Sequence, residues 1–324
     1  PGFPQLGMTF SRPQVRMLQL DADELLEPVL VFGGGYDPNK DTSVTSVGEV
    51  TDDNVGNGVY IVNAETGELI WKVTGPTNKT DNACSGCTTL SEPTLVDSIP
   101  SDVTAVDTDA DRIMDRFYVG DTGGRVWRGD LTDPADPSTW TLTEVLSVGR
   151  HATNAVDRRF FHAPDFVPAR DVKGATFEYI GDYDGVIIGS GNRADPMDED
   201  NSDWLYVYKD RGTLTGNPPA TVLEHEDLDD VSPNCRQDGC AITGGLGNGW
   251  RMLLDGNGEK MLSAPLTYKG VIYFSTYMPE TGSAASETCG PGEGYGFAYA
   301  VNLNDGTAAY NYDTTNDQAS TGEE

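Results

Sequence analysis

The sequence predicts an all-β chain of the β-propeller class, and three observations carry that prediction. A Ser or His followed two residues later by Pro recurs four times ahead of an apolar run, the strand-like runs after each proline come in the same order, and helix-period apolar patterns are nearly absent. The four motifs are Ser11-Arg-Pro13, Ser91-Glu-Pro93, His162-Ala-Pro164 and Ser263-Ala-Pro265, with 71 to 101 residues between successive prolines. Proline is tolerated as the first residue of a strand, so each motif is expected to open the inner strand of a blade.

The second strand of each unit is an apolar run ending in a small residue: Leu30–Gly33, Phe117–Gly120, Val186–Gly189 and Ile272–Ser275. A third strand carries an aromatic at Tyr60, Trp127, Tyr206 and Tyr299, and the turn signals Thr66-Gly67 and Asp305-Gly306 follow the first and last of these. Fourth strands are expected over Leu69–Val73, Trp140–Val145, Trp250–Leu254 and Ala308–Tyr312. The blades therefore run over about 9–75, 88–149, 158–256 and 260–315, within one propeller domain spanning 1–324. Four blades can close a ring, and a larger propeller of which this chain is a fragment fits equally well. Stacked β-sandwich domains give the same strand count, but the recurring order favours blades. Polar insertions at 37–57, 193–203, 224–238 and 281–294 are read mainly as solvated loops.

Composition narrows the function classes. With 52 acidic and 21 basic residues the chain carries a net charge of −31, and its basic residues form no cluster larger than Arg158-Arg159. A phosphate backbone would be repelled, which argues against nucleic-acid binding and disfavours anionic membrane surfaces. Apolar runs such as Val271–Phe274 fall far short of the roughly 20 residues that cross a bilayer, so no membrane span is expected. The start Pro1-Gly-Phe-Pro-Gln has no signal-peptide character, and any export signal is expected to be removed or to lie upstream.

The residues richest in chemistry are Asp107, Asp109, Asp111 and Asp115, with the backbone carbonyl of Ile113 between the last two. Four carboxylates at positions 1, 3, 5 and 9 of one loop repel each other unless a cation sits among them, and hard oxygen donors at this spacing suit Ca²⁺. The loop is a shortened relative of the EF-hand: Tyr118 stands where a bidentate Glu belongs, Arg112 where a Gly belongs, and a strand follows where a helix would. The competing reading is a solvated acidic turn. Two weaker patterns, Asp21-Ala-Asp23-Glu24 and Asp182 with Asp184, are read as degenerate and metal-free.

Five cysteines lie in Gly-, Ser- and Asn-rich stretches as Cys84 and Cys87, Cys235 and Cys240, and Cys289. Two local disulfides and an oxidising compartment are the simplest account, with Cys289 unassigned. The tripeptide Arg128-Gly129-Asp130 matches an integrin-recognition motif, but a structural role beside Trp127 is favoured.

In the order of Met8–Pro13, Leu30–Tyr36, Val59–Leu69, the acidic loop through Asp121, Gly124–Arg128, Gly185–Arg193, Asn248–Arg251 and Val271–Thr276, the chain resembles the C-terminal β-propeller of the PilY family of secreted type IV pilus factors. The resemblance implies a non-catalytic, calcium-binding assembly or adhesion module at the pilus tip, outside the cell, with Asp107, Asp109, Asp111, Ile113 and Asp115 as the calcium site. It also implies that calcium modulates pilus extension against retraction, and that the partners are minor pilin subunits or a host or surface receptor. This chain departs from the family loop in placing Ala110 and Arg112 where glycines are usual. A left-handed Arg112 would cost on the order of 1–2 kcal/mol.

The alternative is a quinoprotein-dehydrogenase-like enzyme, suggested by the wording of Asn63 to Trp71. No adjacent cysteine pair is present, and His151, His162 and His225 join no nucleophile motif, so catalysis is not expected.

Overall fold

The computed structural model describes residues 3–20, 25–41, 51–76, 86–173, 178–212, 218, 220–232, 247–280 and 294–310. These are strands, turns and short 3-10 segments, with no α-helix among them. The fold class is the all-β, β-propeller type that the sequence predicts, built of blade-like meanders. Chain contacts divide it into two compact units, one of residues 1–164 with 214–222 and one of 165–213 with 223–324.

The first unit holds two blades. In the first, β1 (Gln14–Gln19), β2 (Leu26–Gly33), β3 (Gly58–Asn63) and β4 (Leu69–Thr74) pair antiparallel in sequence order, and β5 (Thr88–Ser91) adds in parallel beyond β4. In the second, β6 (Thr104–Val106), β7 (Arg116–Gly120), β8 (Arg125–Asp130) and β9 (Thr141–Ser147) form an antiparallel meander. Alternation puts Val29, Val31, Val59, Ile61, Trp71 and Val73 of the first blade into one core with Ala105, Phe117, Val119 and Trp127 of the second. Trp71 packs edge-on against Phe117 and lies 5.8 Å from Trp140.

In the second unit, β10 (Asp165–Lys173), β11 (Glu178–Gly189) and β12 (Trp204–Asp210) precede the two-residue strands β13 (Leu223–Glu224) and β14 (Asp229–Asp230). Next comes β15 (Gly249–Leu253), and the sheet order is β10-β11-β12-β15-β14. The last blade has β16 (Lys260–Met261) and β17 (Leu266–Tyr268) along one edge of β18 (Val271–Met278), and β19 (Tyr295–Asn302) along the other. Ile187, Leu205, Val207 and Trp250 of the preceding sheet and Ile272, Phe274 and Val301 of the last blade share one core.

Three of the four proline motifs open a strand as expected: Pro13 before β1, Pro164 before β10 and Pro265 before β17. Pro93 does not. Glu92 closes a turn there by accepting from the Thr94 N–H (3.0 Å) and hydroxyl (2.7 Å), and the inner strand begins only at Thr104. The expected fourth strand over Ala308–Tyr312 is represented by a single bridge from Ala308 to Val301, since 311 and 312 lie outside the described residues.

Candidate metal centre and a buried charge cluster

The acidic loop closes the hairpin between β6 and β7, whose last register pair is Val106 with Arg116. Its carboxylates first satisfy the turn itself. Asp107 accepts from the N–H groups of Ala110 (2.7 Å) and Arg112 (2.8 Å), Asp109 from Asp111 (3.1 Å), Asp111 from Ile113 (2.7 Å), and Asp115 from the Thr108 N–H (2.5 Å) and hydroxyl (2.7 Å). Winding this tightly drives Ala110 to φ 67° and Arg112 to φ 79°, the left-handed region where a side chain is strained. The loop's exit is anchored: Met114 is buried and donates to the carbonyl of Met17 on β1 (3.0 Å), and Asp115 donates to Val106 (3.0 Å). Ile113 packs its side chain against the same core.

One oxygen each of Asp107, Asp109 and Asp115 lies within 4.8 Å of the other two. The Asp111 carboxylate, the fourth expected ligand, is not part of that group. The donor set is oxygen only, on a strained but anchored loop, and it fits a hard divalent cation better than a soft one. The degenerate pattern at 21–24 lies outside the described residues. Asp182 and Asp184 sit within β11, where Asp182 lies 3.9 Å from Arg170 and Asp184 is buried.

A second polar centre escaped sequence reasoning because Lys40 and Asp53 sit in the 37–57 insertion, read as a solvated loop, and their partners Asp97 and Thr122 come from elsewhere in the chain. The 3-10 turn Pro38–Lys40, capped by Asp37, delivers Lys40 into the interior with its side chain 1% exposed. Its ammonium donates to Asp53 (2.7 Å), Asp97 (2.5 Å) and the Thr122 hydroxyl (3.0 Å). Asp97 also accepts from Arg125 (3.0 Å) and Arg150 (2.9 Å) and pairs with His151 Nε2 (2.6 Å). Burial alone would raise the Asp97 carboxyl, but the His151 hydrogen bond and the charges of Lys40, Arg150 and Arg125 outweigh it and hold the group well below the usual carboxylate range. Asp53 behaves oppositely: burial pushes its pKa up, and Lys40 and Ser98 offset this only in part.

Arg128-Gly129-Asp130 occupies β8, and the Arg128 side chain is fully buried and fork-bonded to Asp130 at 2.8–3.0 Å. This is strand architecture, and the tripeptide is closed to a receptor. Trp71, the hallmark of the quinoprotein-like wording, is likewise a core residue. His151 and His225 have structural partners, the latter in Tyr206 and the edge of Trp204. Cys84, Cys235, Cys240 and Cys289 lie outside the described residues.

The fold and loop together define an all-β blade protein with an acidic hairpin loop. No family model matches the chain. It is 25% identical, over 94% of its length, to the Type IV pilus biogenesis factor PilY1 homolog of Xylella fastidiosa (strain Temecula1), and spans 19% of that relative. Its structure matches the crystal structure of the Pseudomonas aeruginosa PilY1 C-terminal domain with a TM-score of 0.57, at 18% identity, over 94% of this chain and 61% of that one. Sequence and structure comparisons thus agree in supporting the resemblance to the PilY-family C-terminal domain.

Proposed function

We propose that this chain is a non-catalytic, calcium-binding propeller module of a type IV pilus biogenesis and tip-adhesion factor. The observation that carries the reading is the convergence of Asp107, Asp109 and Asp115 at the end of a core-anchored hairpin, in a chain whose sequence and fold both match PilY1 proteins. In this reading those three carboxylates hold the ion, with Asp111 and the Ile113 carbonyl completing the shell. A bound divalent ion supplies charge neutralisation for the loop. The residues themselves then fix the β6–β7 hairpin and, through Met114, its bond to β1.

The same proposal places the protein at the pilus tip outside the cell, contacting minor pilin subunits or a surface receptor, and modulating extension against retraction. It assigns 1–324 to one propeller domain, and includes the local disulfides Cys84–Cys87 and Cys235–Cys240 as fits to an oxidising compartment. Calorimetric titration of calcium into chelated protein tests it. One site is expected, with a dissociation constant on the order of 10⁻⁴ to 10⁻³ M as in extracellular modules. Asp107→Ala and Asp115→Ala should abolish it, and heat-free titration of the unaltered chain refutes the calcium site.

A further inference from the structure

We propose that Lys40 and Asp53 condense spontaneously into an intramolecular amide, making this cluster a self-modification site. Fully buried lysines are rare, and this one directs its three N–H groups at two buried carboxylates and one hydroxyl. The two carboxylates are in opposite conditions. Asp97 has both oxygens engaged by Lys40, Arg150, Arg125 and His151, which keeps it an anion and a poor acyl donor. Asp53 has one oxygen, Oδ1, buried without a hydrogen-bond partner, a costly state for a carboxylate and an ordinary one for a group about to lose that oxygen. Its raised pKa favours the neutral acid, the form that an amine attacks.

The donors are placed for the step. Asp53 Oδ2, 2.7 Å from Lys40 Nζ, also accepts from the Ser98 N–H (2.7 Å) and the Thr122 hydroxyl (3.1 Å). These two groups hold it as the carbonyl oxygen and stabilise the charge that builds there. One proton passes from the Lys40 ammonium to Asp53 within the ion pair, Nζ attacks the Asp53 carbonyl carbon, and the C–Oδ1 bond breaks as Oδ1 leaves as water, carrying that proton and a second one released from Nζ as the amide forms. Ammonium plus carboxylate give amide plus one water, with no net change of charge and no co-reactant. The remaining amide N–H keeps its bond to Asp97. Proximity in a fixed geometry supplies the driving advantage that free amine and acid lack. The product is one covalent link per chain, without turnover, which is compatible with a non-enzymatic module.

Mass spectrometry of the full chain, reduced and denatured, tests this. The unaltered protein should be lighter than its sequence mass by one water, and Lys40→Arg should show the full mass. Trypsin has no site between Arg16 and Lys72 other than Lys40, so the linked protein yields Met17–Lys72 as a single fragment. Cleavage of that fragment after Glu49 should leave its two arms joined. Thr122→Val, which removes one donor to Oδ2, should slow the mass loss after refolding several-fold in protein whose circular dichroism spectrum matches that of the unaltered chain. A full-mass protein overturns the proposal, and so does a water loss whose arms separate, which is the signature of dehydration at a single aspartate.

Discussion

Arg112 and Ala110 show how a residue choice sets the properties of a loop. Both adopt positive φ because the hydrogen bonds of Asp107 demand that winding, and neither is the glycine that accommodates it freely. Arg112→Gly is expected to stabilise the protein by up to about 1 kcal/mol in urea unfolding and to tighten calcium binding, since φ strain is relieved without touching a ligand. Asp97 is the contrasting case. Removing its charge strands Arg125 and Arg150 together, so Asp97→Ala is expected to lose on the order of 3–5 kcal/mol. Because its folded pKa lies below the unfolded value of 3.8, its contribution is present above that value and is lost as pH falls below it toward the folded pKa. Acid unfolding monitored by circular dichroism should therefore begin below about pH 4, and Asp97→Asn should flatten that limb.

At the scale of the element, β8 explains why a recognition tripeptide is architecture. Arg128 and Asp130 lie on one face of the strand, close their own fork, and Arg116 on the paired strand donates to the same Asp130 oxygen (2.9 Å). Between them, a Cβ on Gly129 would stand 2.1 Å from the Phe117 ring. Gly129→Ala is therefore expected to destabilise by about 1–3 kcal/mol in thermal or urea melts, through overpacking rather than any lost contact. The strands themselves were legible, because alternation and turn residues report which stretch can pair. Pro93 was not, since a proline is as good a turn residue as a strand opener and only the Glu92–Thr94 hydrogen bonds decide between the two.

For the whole molecule the dominant electrostatic fact is the charge of −31. Self-repulsion at that charge opposes the compact state and is screened by salt, so the melting temperature should rise with sodium chloride and level off as the Debye length shortens. Calcium at matched ionic strength should add a further rise that Asp115→Ala removes. Equal melting curves in calcium and in chelator, at the same ionic strength, argue against the metal centre.

Composition, periodicity and spacing by themselves determined the all-β blade order and the acidic hairpin loop, because both are local: a strand is marked by its own alternation, and four carboxylates in nine residues repel whatever lies around them. Only the tertiary structure decided that Asp107, Asp109 and Asp115 bring one oxygen each within 4.8 Å of the others, and that Lys40, Asp53, Asp97 and Thr122 meet. Those four come from segments up to 82 residues apart. No local pattern marks a lysine or an aspartate as buried, since what makes it so is the partner that folding brings from elsewhere in the chain.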